Sequence, residues 1–159
     1  MTATGLPDVF GDFFSGLDEQ RPASAGTDFF HHCFGCGPSH PTGLRVRCFR
    51  SPDGVVSPVF IARDHAGPPD AAHGGIVTAY LDEICAGAAL NATGRIAVTG
   101  ELTVRFIAPV PVERPIVGRG QLVKDHGRYV DVEARLEEFE TRRVLATAKG
   151  RFFPPPARS

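Results

Sequence analysis

Apolar and polar residues change their spacing several times along the chain, and each change predicts a new element. Near the start, apolar residues recur at helical spacing and predict a short amphipathic N-terminal helix. These residues are Val9, Phe10, Phe13, Phe14 and Leu17. A linker over residues 18–28 is predicted to follow. Alternating segments then predict two strands, over residues 44–49 and 55–61. Pro58 in the second favours an edge position or a bulge, because proline donates no ladder hydrogen bond.

A long uncharged segment follows, in which only Asp82 and Glu83 carry a formal charge between Gly74 and Gly94. It predicts a helix over residues 74 to about 90 that is apolar nearly all round. One stripe is predicted to face a sheet: Ile76, Val77, Tyr80, Leu81, Ile84 and Ala88. The other face is small and suited to close approach by a second subunit: Thr78, Asp82, Cys85, Ala86 and Ala89.

Four further alternating segments predict strands over residues 96–106, 116–124, 129–136 and 144–153. In the first of them one face is predicted to hold Ile96, Val98, Leu102, Val104 and Phe106. Hairpin-like turns between the later segments imply an antiparallel sheet. The chain is therefore predicted to be an α+β protein with an antiparallel six-stranded sheet, one long helix and a short N-terminal helix. Residues 1–30 form an extension and linker, residues 31–153 the main domain, and residues 154–159 a flexible proline-rich tail.

The composition fits a single globular domain of 159 residues with 42% hydrophobic and 22% charged residues. A net charge of -1 argues against a general nucleic-acid binder. No apolar run approaches the roughly 20 residues that a membrane span requires, and Asp8 and Asp12 interrupt the early apolar stretch, so no secretory segment is predicted. Because the four cysteines are typical of reduced thiols, a soluble cytoplasmic protein is expected.

The residues around the helix start carry a family resemblance. The triplet His73-Gly74-Gly75 is followed by Asp82, nine residues after the histidine. Ahead of the first strand stands the segment Cys33-Phe34-Gly35-Cys36-Gly37-Pro38, with Gly43-Leu44 after it. Together with the strand order, these motifs resemble the PaaI-type acyl-CoA thioesterases of the hotdog-fold superfamily. The resemblance covers about residues 31–153. It implies a sheet wrapped around the central helix, and hydrolysis of an acyl-CoA or acyl-carrier thioester to a carboxylate and a thiol, with no metal and no organic cofactor.

Residue by residue, the resemblance implies a catalytic set. Asp82 is the general base or the nucleophile, and the Gly74 amide forms the oxyanion hole. Thr99 orients the attacking water, and His73 helps to bind the substrate carbonyl or the leaving sulfur. The chemistry agrees, because a helix N-terminus offers amides to a developing negative charge and a poorly hydrated carboxylate is a stronger base.

Three further residues are candidates for substrate binding. Gly75 and Glu83 neighbour the catalytic set, although Glu83 points about 100° away from Asp82 and fits a structural hydrogen-bond acceptor. Arg128, after the Asp125-His126-Gly127 turn, is a candidate contact for coenzyme A phosphates.

Helix geometry adds a constraint on assembly. Gly74 and Asp82 are eight residues apart, about 12 Å along a helix, so one carbonyl cannot touch both in one chain. If both act, two helices must meet antiparallel. We therefore expect an obligate homodimer with two composite sites, and a dimer of dimers stays open.

Alternatives remain at several positions. Asp82 could form a buried ion pair with Arg95 or Arg105, and His73 could simply cap the helix. Cys33 and Cys36 lie close in sequence to His31, His32 and His40, but only one Cys-x-x-Cys pair exists, so a loop that packs over the sheet edge or the acyl pocket is favoured over zinc. The alternative functions are a hotdog hydratase or dehydratase and a non-catalytic acyl-CoA sensor.

Overall fold

The main sheet in the computed structural model, which describes residues 5–20 and 31–157, is antiparallel and has seven strands. The strands are β1 (Glu19–Gln20), β2 (Cys48–Ser51), β3 (Gly54–Phe60), β6 (Val98–Phe106), β7 (Pro115–Asp125), β8 (Val130–Glu138) and β9 (Val144–Phe153). Their order across the sheet is β1-β2-β3-β7-β8-β9-β6. A separate two-stranded ribbon, β4 (Ala66–Gly67) with β5 (Ala71–Ala72), leads into the single long helix, α1 (Gly74–Thr93).

Helix α1 lies against one face of this sheet and forms the centre of the core. Leu81 and Ile84 on α1 are fully buried with Ile116 and Leu136 from the sheet. The helix ends where Gly94 adopts a left-handed conformation, three residues beyond the predicted end. A long antiparallel sheet around one central helix is the hotdog fold, so the predicted α+β architecture is confirmed. Within the described residues, no helix is long and apolar enough to cross a membrane.

The six predicted strands are all present, and the sheet adds one more. Its seventh strand is β1, which the sequence pattern assigned to the linker, and Gln20 also donates a side-chain hydrogen bond to the Gly87 carbonyl, 2.8 Å away. Strand β2 begins at Cys48 instead of Leu44, because the positive φ of Arg45 (52°) interrupts the extended backbone. The rest of the predicted linker and the last two residues of the tail fall on residues 21–30 and 158–159, outside the described residues.

The prediction of an N-terminal helix is wrong. Residues Asp8–Phe10 form one 3-10 turn, and turns continue to Gly16. Gly11 and Gly16 have positive φ values of 51° and 78°, which interrupt a right-handed helix. The helical spacing of the phenylalanines instead serves packing: Phe10 and Phe14 are buried on the outer face of the sheet, on the opposite side from α1.

The two faces predicted for α1 are partly wrong. Cys85 and Ala89, assigned to the small exposed face, are fully buried in the core. Ile76, assigned to the sheet-facing stripe, is only half-buried. The sheet curves around the helix and covers more than one stripe, so the face left half-buried is narrower and includes Thr78, Asp82 and Ala86.

Strand β6 is an edge strand with an irregularity at Gly100. Among the described residues it pairs only with β9, and the register shifts between Thr99 and Glu101. This bulge reverses the side-chain alternation, so Val98 does not share a face with Leu102 and lies 42% exposed, which corrects the predicted strand face. Pro58 lies in β3 beyond the part that pairs with β2, as an edge position requires.

Candidate active site

The first turn of α1 satisfies three of its first four amides. The Nδ1 atom of His73 accepts a hydrogen bond from the Gly75 amide at 3.0 Å. The His73 carbonyl accepts from the amides of Ile76 (2.9 Å) and Val77 (3.0 Å). Among the described residues, the Gly74 amide alone of these four has no acceptor. It therefore offers an N–H at the positive end of the helix dipole.

His73 caps the helix through one ring nitrogen only. Because Nδ1 accepts a hydrogen bond, the proton of the neutral ring lies on Nε2. The ring is exposed, so this second nitrogen is accessible to another group. The cap is thus observed, and it leaves a donor available for the substrate-binding role that the resemblance implies for His73.

Backbone hydrogen bonds hold the approach to the helix start. The amide of His73 donates to the His65 carbonyl at 2.9 Å, and the amide of Ala72 donates to the Val110 carbonyl at 2.7 Å. A cleft of about 320 Å³ opens beside this segment. Its walls include Gly74, Val77, Phe106, Ile107 and Val110. The Gly74 amide therefore lies at the edge of a cleft lined by apolar side chains and by backbone polar groups, a setting that suits a ligand.

Asp82 and Thr99 are brought together from the helix and the edge strand. The Thr99 hydroxyl donates to Asp82 Oδ1 at 2.6 Å. The bulge explains this contact, because it directs Thr99 toward α1. A Cβ at Gly100 would overlap the ring of Phe153, so glycine allows this ring to pack against the bulge. Sequence reasoning missed this role of Gly100, which a glycine inside a strand pattern could have indicated.

Asp82 forms a hydrogen bond with Thr99 instead of an ion pair. Within residues 5–20 and 31–157, no salt bridge joins it to Arg95 or Arg105. The carboxylate is half-buried on the face of α1 that the sheet leaves open. One oxygen is engaged by Thr99, and no hydrogen bond to the other is found among the described residues.

Glu83 points away from Asp82, toward the loop ahead of β2. It lies beside Cys36, which hydrogen bonds to it. Burial, and then the charge of Asp82, raises the Glu83 pKa to about 7. The structural acceptor role that the helix geometry predicted fits this contact.

Arg128 is exposed in the turn between β7 and β8. Two residues on, Val130 pairs with Phe152, which in turn pairs with Thr99 on the next strand. Neighbouring strands lie about 4.8 Å apart, so this turn is at the same end of the sheet as Thr99, on the order of 10 Å away. The coenzyme A contact expected of Arg128 stays a prediction.

The structure does not bring Gly74 and Asp82 together within one chain. Both lie on α1, where eight residues at 1.5 Å each separate them by about 12 Å. They are therefore two separate groups of candidate residues, an amide half-site at the helix start and a carboxylate half-site at the Asp82–Thr99 pair. Gly75, whose amide is engaged by His73, belongs to the first of them.

Comparison with known proteins finds one matching family model. The model described as thioesterase superfamily matches residues 70–145. Over this span, slightly less than half of the chain, the protein is similar to the thioesterase superfamily. The matched span contains His73, Gly74, Asp82 and Thr99 but not the Cys33–Cys36 loop. Among curated proteins no sequence matches.

Solved structures of other proteins, among them one described as a thioesterase superfamily protein, share the fold. A protein described only by that superfamily is 25% identical, with a TM-score of 0.69, over 77% of this chain and 60% of its own, so the present chain spans less than two thirds of it. The E. coli PaaI protein from the phenylacetic acid degradation operon is 16% identical (TM-score 0.61; 69% of this chain, 83% of its own). The protein smu.793 from Streptococcus mutans, solved bound to acetyl CoA, is 18% identical (TM-score 0.63; 72% and 91%).

Proposed function

We propose that the protein hydrolyses an acyl-CoA or acyl-carrier thioester to a free carboxylate and a thiol. The observation that carries the proposal is the Gly74 amide, for which the described residues provide no acceptor, at the start of an otherwise capped helix. The match of residues 70–145 to the thioesterase superfamily model supports the reaction class. The acetyl CoA bound to the Streptococcus mutans protein supports the choice of a coenzyme A thioester.

Thioester hydrolysis places negative charge on the carbonyl oxygen in the transition state. The Gly74 N–H meets the requirement for a fixed donor at that oxygen, and the helix dipole adds to it. The exposed Nε2–H of His73 is a second donor at the same helix end. It can reach the carbonyl oxygen or the leaving sulfur.

Asp82 supplies the basic or nucleophilic group. The Thr99 hydroxyl donates to Oδ1 and so fixes the orientation of the Asp82 carboxylate. Oδ2 can then take a proton from water or attack the carbonyl carbon itself. The lone pairs of the Thr99 hydroxyl can also accept from the attacking water. A thiolate is a good leaving group, so the step requires no strong general acid and no organic cofactor.

The 12 Å between the half-sites implies that two chains share each site. The surface beside them fits a second copy: β6 is an edge strand, and Val98, Phe106 and Ile107 on or after it are 42%, 53% and 54% exposed. An exposed edge strand has unpaired backbone groups that can pair with another strand, and exposed apolar patches mark interaction surfaces. An antiparallel pair of α1 helices would place Gly74 of one chain near Asp82 of the other. A homodimer with two composite sites is therefore part of the proposal.

The test is release of thiol from a panel of acyl-CoA thioesters that differ in acyl group. The parent is expected to cleave at least one of them, and both Asp82→Asn and Asp82→Ala are expected to lose that activity. Asp53→Asn, an exposed carboxylate in the turn between β2 and β3, is the matched control and should retain it. Full activity of both Asp82 variants on every substrate would remove the assigned role. Tight acyl-CoA binding without thiol release would select a non-catalytic sensor instead.

A further inference from the structure

The loop ahead of β2 holds Cys33 and Cys36 in one tight turn. The Gly37 amide donates to the Cys33 carbonyl at 2.8 Å. Two more backbone bonds of 2.8 Å, from Leu44 to Phe34 and from Val46 to Gly35, tie the turn to the chain that enters β2. The backbone thus fixes where the two thiols are presented.

Helix α1 adds a third donor to the two thiols. The Sγ atoms of Cys33 and Cys36 and a carboxylate oxygen of Glu83 all lie within 4.8 Å of one another. The loop approaches the helix so closely that a Cβ at Gly35 would overlap the Glu83 carboxylate. All three side chains are half-buried.

In the part of the chain that the structure describes, the cluster consists of three acidic groups with no cationic side chain paired to it. Among the described residues, Glu83 has no ion-pair partner. Burial and the charge of Glu83 both raise the Cys36 pKa, while burial and the charge of Asp82 raise that of Glu83. The Glu83 charge therefore disfavours the thiolate form of Cys36. A bound divalent cation would reverse that balance, because it deprotonates a coordinating thiol and offsets the buried carboxylate.

We propose that Cys33, Cys36 and Glu83 bind a thiophilic divalent metal ion, with zinc as the best match to two sulfur ligands and one carboxylate. Three protein ligands leave the fourth tetrahedral position to water or another donor. The ion fastens the loop of residues 31–43 to the turn of α1 next to Asp82. Its role is structural, and the proposal does not depend on thioester hydrolysis.

The sequence alone favoured no metal here, because it offers one Cys-x-x-Cys pair and zinc sites need about four ligands. The fold raises the number of candidate ligands to three, because it brings Glu83 from a distant segment to the two cysteines. Stripping the full-length protein with a chelator and reloading it with zinc tests the site directly. Elemental analysis after buffer exchange should give about one zinc per chain, and cobalt in its place should show a thiolate-to-cobalt charge-transfer band.

Variants separate the proposed ligands from other groups. Competition with a chromogenic chelator should show that Cys36→Ser and Glu83→Gln each lower the zinc affinity by about 100-fold or more. Loss of a group that only supports a ligand lowers metal affinity by about 10- to 100-fold, so loss of a ligand should cost at least as much. Cys85→Ala removes a buried thiol outside the cluster and is the matched control, with unchanged affinity expected. Thermal unfolding of the metal-free variants establishes that each is folded, and if Cys36→Ser does not fold, Glu83→Gln decides. A parent that fails to compete with the chelator, or a folded ligand variant that binds as tightly as the parent, would overturn the proposal.

Discussion

Replacing Gly74 by proline removes the proposed oxyanion donor and little else. Gly74 is the first residue of α1, where proline is tolerated because the N–H has no intrahelical acceptor. The preceding residue is also compatible, since His73 has φ -59° and ψ 135°, the extended conformation that proline imposes on its predecessor. The substitution therefore deletes one hydrogen-bond donor from an otherwise retained helix start.

The expected loss follows from what one such donor contributes. Removal of a single oxyanion-hole donor costs about 100- to 1000-fold in kcat, or about 2.7–4 kcal/mol. Gly74→Ala is the matched control, because it keeps the N–H and adds a Cβ that would meet Phe106 Cζ at 3.5 Å, an ordinary van der Waals distance. We expect the alanine variant to stay within a few-fold of the parent.

The assay is steady-state thiol release with the preferred acyl-CoA, together with thermal unfolding of all three proteins. We expect kcat to fall only in Gly74→Pro, and we expect the parent and both variants to unfold at similar temperatures. A folded proline variant with the parent kcat would refute the donor role. Equal losses in folded proline and alanine variants would point to a steric requirement at Gly74 instead.

Three further predictions test the surrounding structure. Gly100→Ala should lower the free energy of unfolding by about 1–3 kcal/mol through overlap with the Phe153 ring, and Phe153→Ala should rescue part of that loss in chemical denaturation; no loss would contradict the tight bulge. Phe10→Ala should cost about 3–5 kcal/mol, because Phe10 is only 2% exposed, and unchanged stability would contradict packing of the N-terminal segment on the sheet. Glu83 has a folded pKa of about 7 against an ordinary 4.5, so its contribution to stability falls as pH rises from 4.5 to 7. In chelator, Glu83→Gln should therefore become more stable relative to the parent over that interval, by on the order of 3 kcal/mol, and a flat difference would contradict the raised pKa.

Much of the fold follows from local signals in the sequence. The helix is predictable because its segment is long and nearly uncharged and because Gly94 ends it. The strands after it are predictable because one sheet face is buried and alternation records that burial. The final strand matches its predicted span of 144–153.

The errors arise where a contact between distant segments decides the structure. The phenylalanines of the N-terminal segment have helical spacing, but glycines at 11 and 16 take positive φ and the outer sheet face buries the rings. The two-residue strand β1 is too short to leave a periodic signal. The bulge at Gly100 places the side chains before it on the opposite face of β6 from the one that strict alternation predicts.

The site shows the same division. The Gly74 and Asp82 candidates could be named from a resemblance and from unusual charges in an apolar helix. The Thr99–Asp82 contact needs the bulge that turns Thr99 inward, and the Cys33–Cys36–Glu83 cluster needs the loop to fold back on α1. Both depend on tertiary packing between segments far apart in the chain.

The central claim is that one chain's Gly74 and the other chain's Asp82 form a site together. It is tested most directly by co-expressing Gly74→Pro and Asp82→Asn chains with different affinity tags and purifying the mixed dimer. Each variant alone should be nearly inactive, whereas the mixed dimer should recover about half of the parent activity, because one of its two sites contains both intact groups. A mixed dimer as inactive as the two single variants would contradict a shared site. So would a monomer that hydrolyses the thioester at the normal rate.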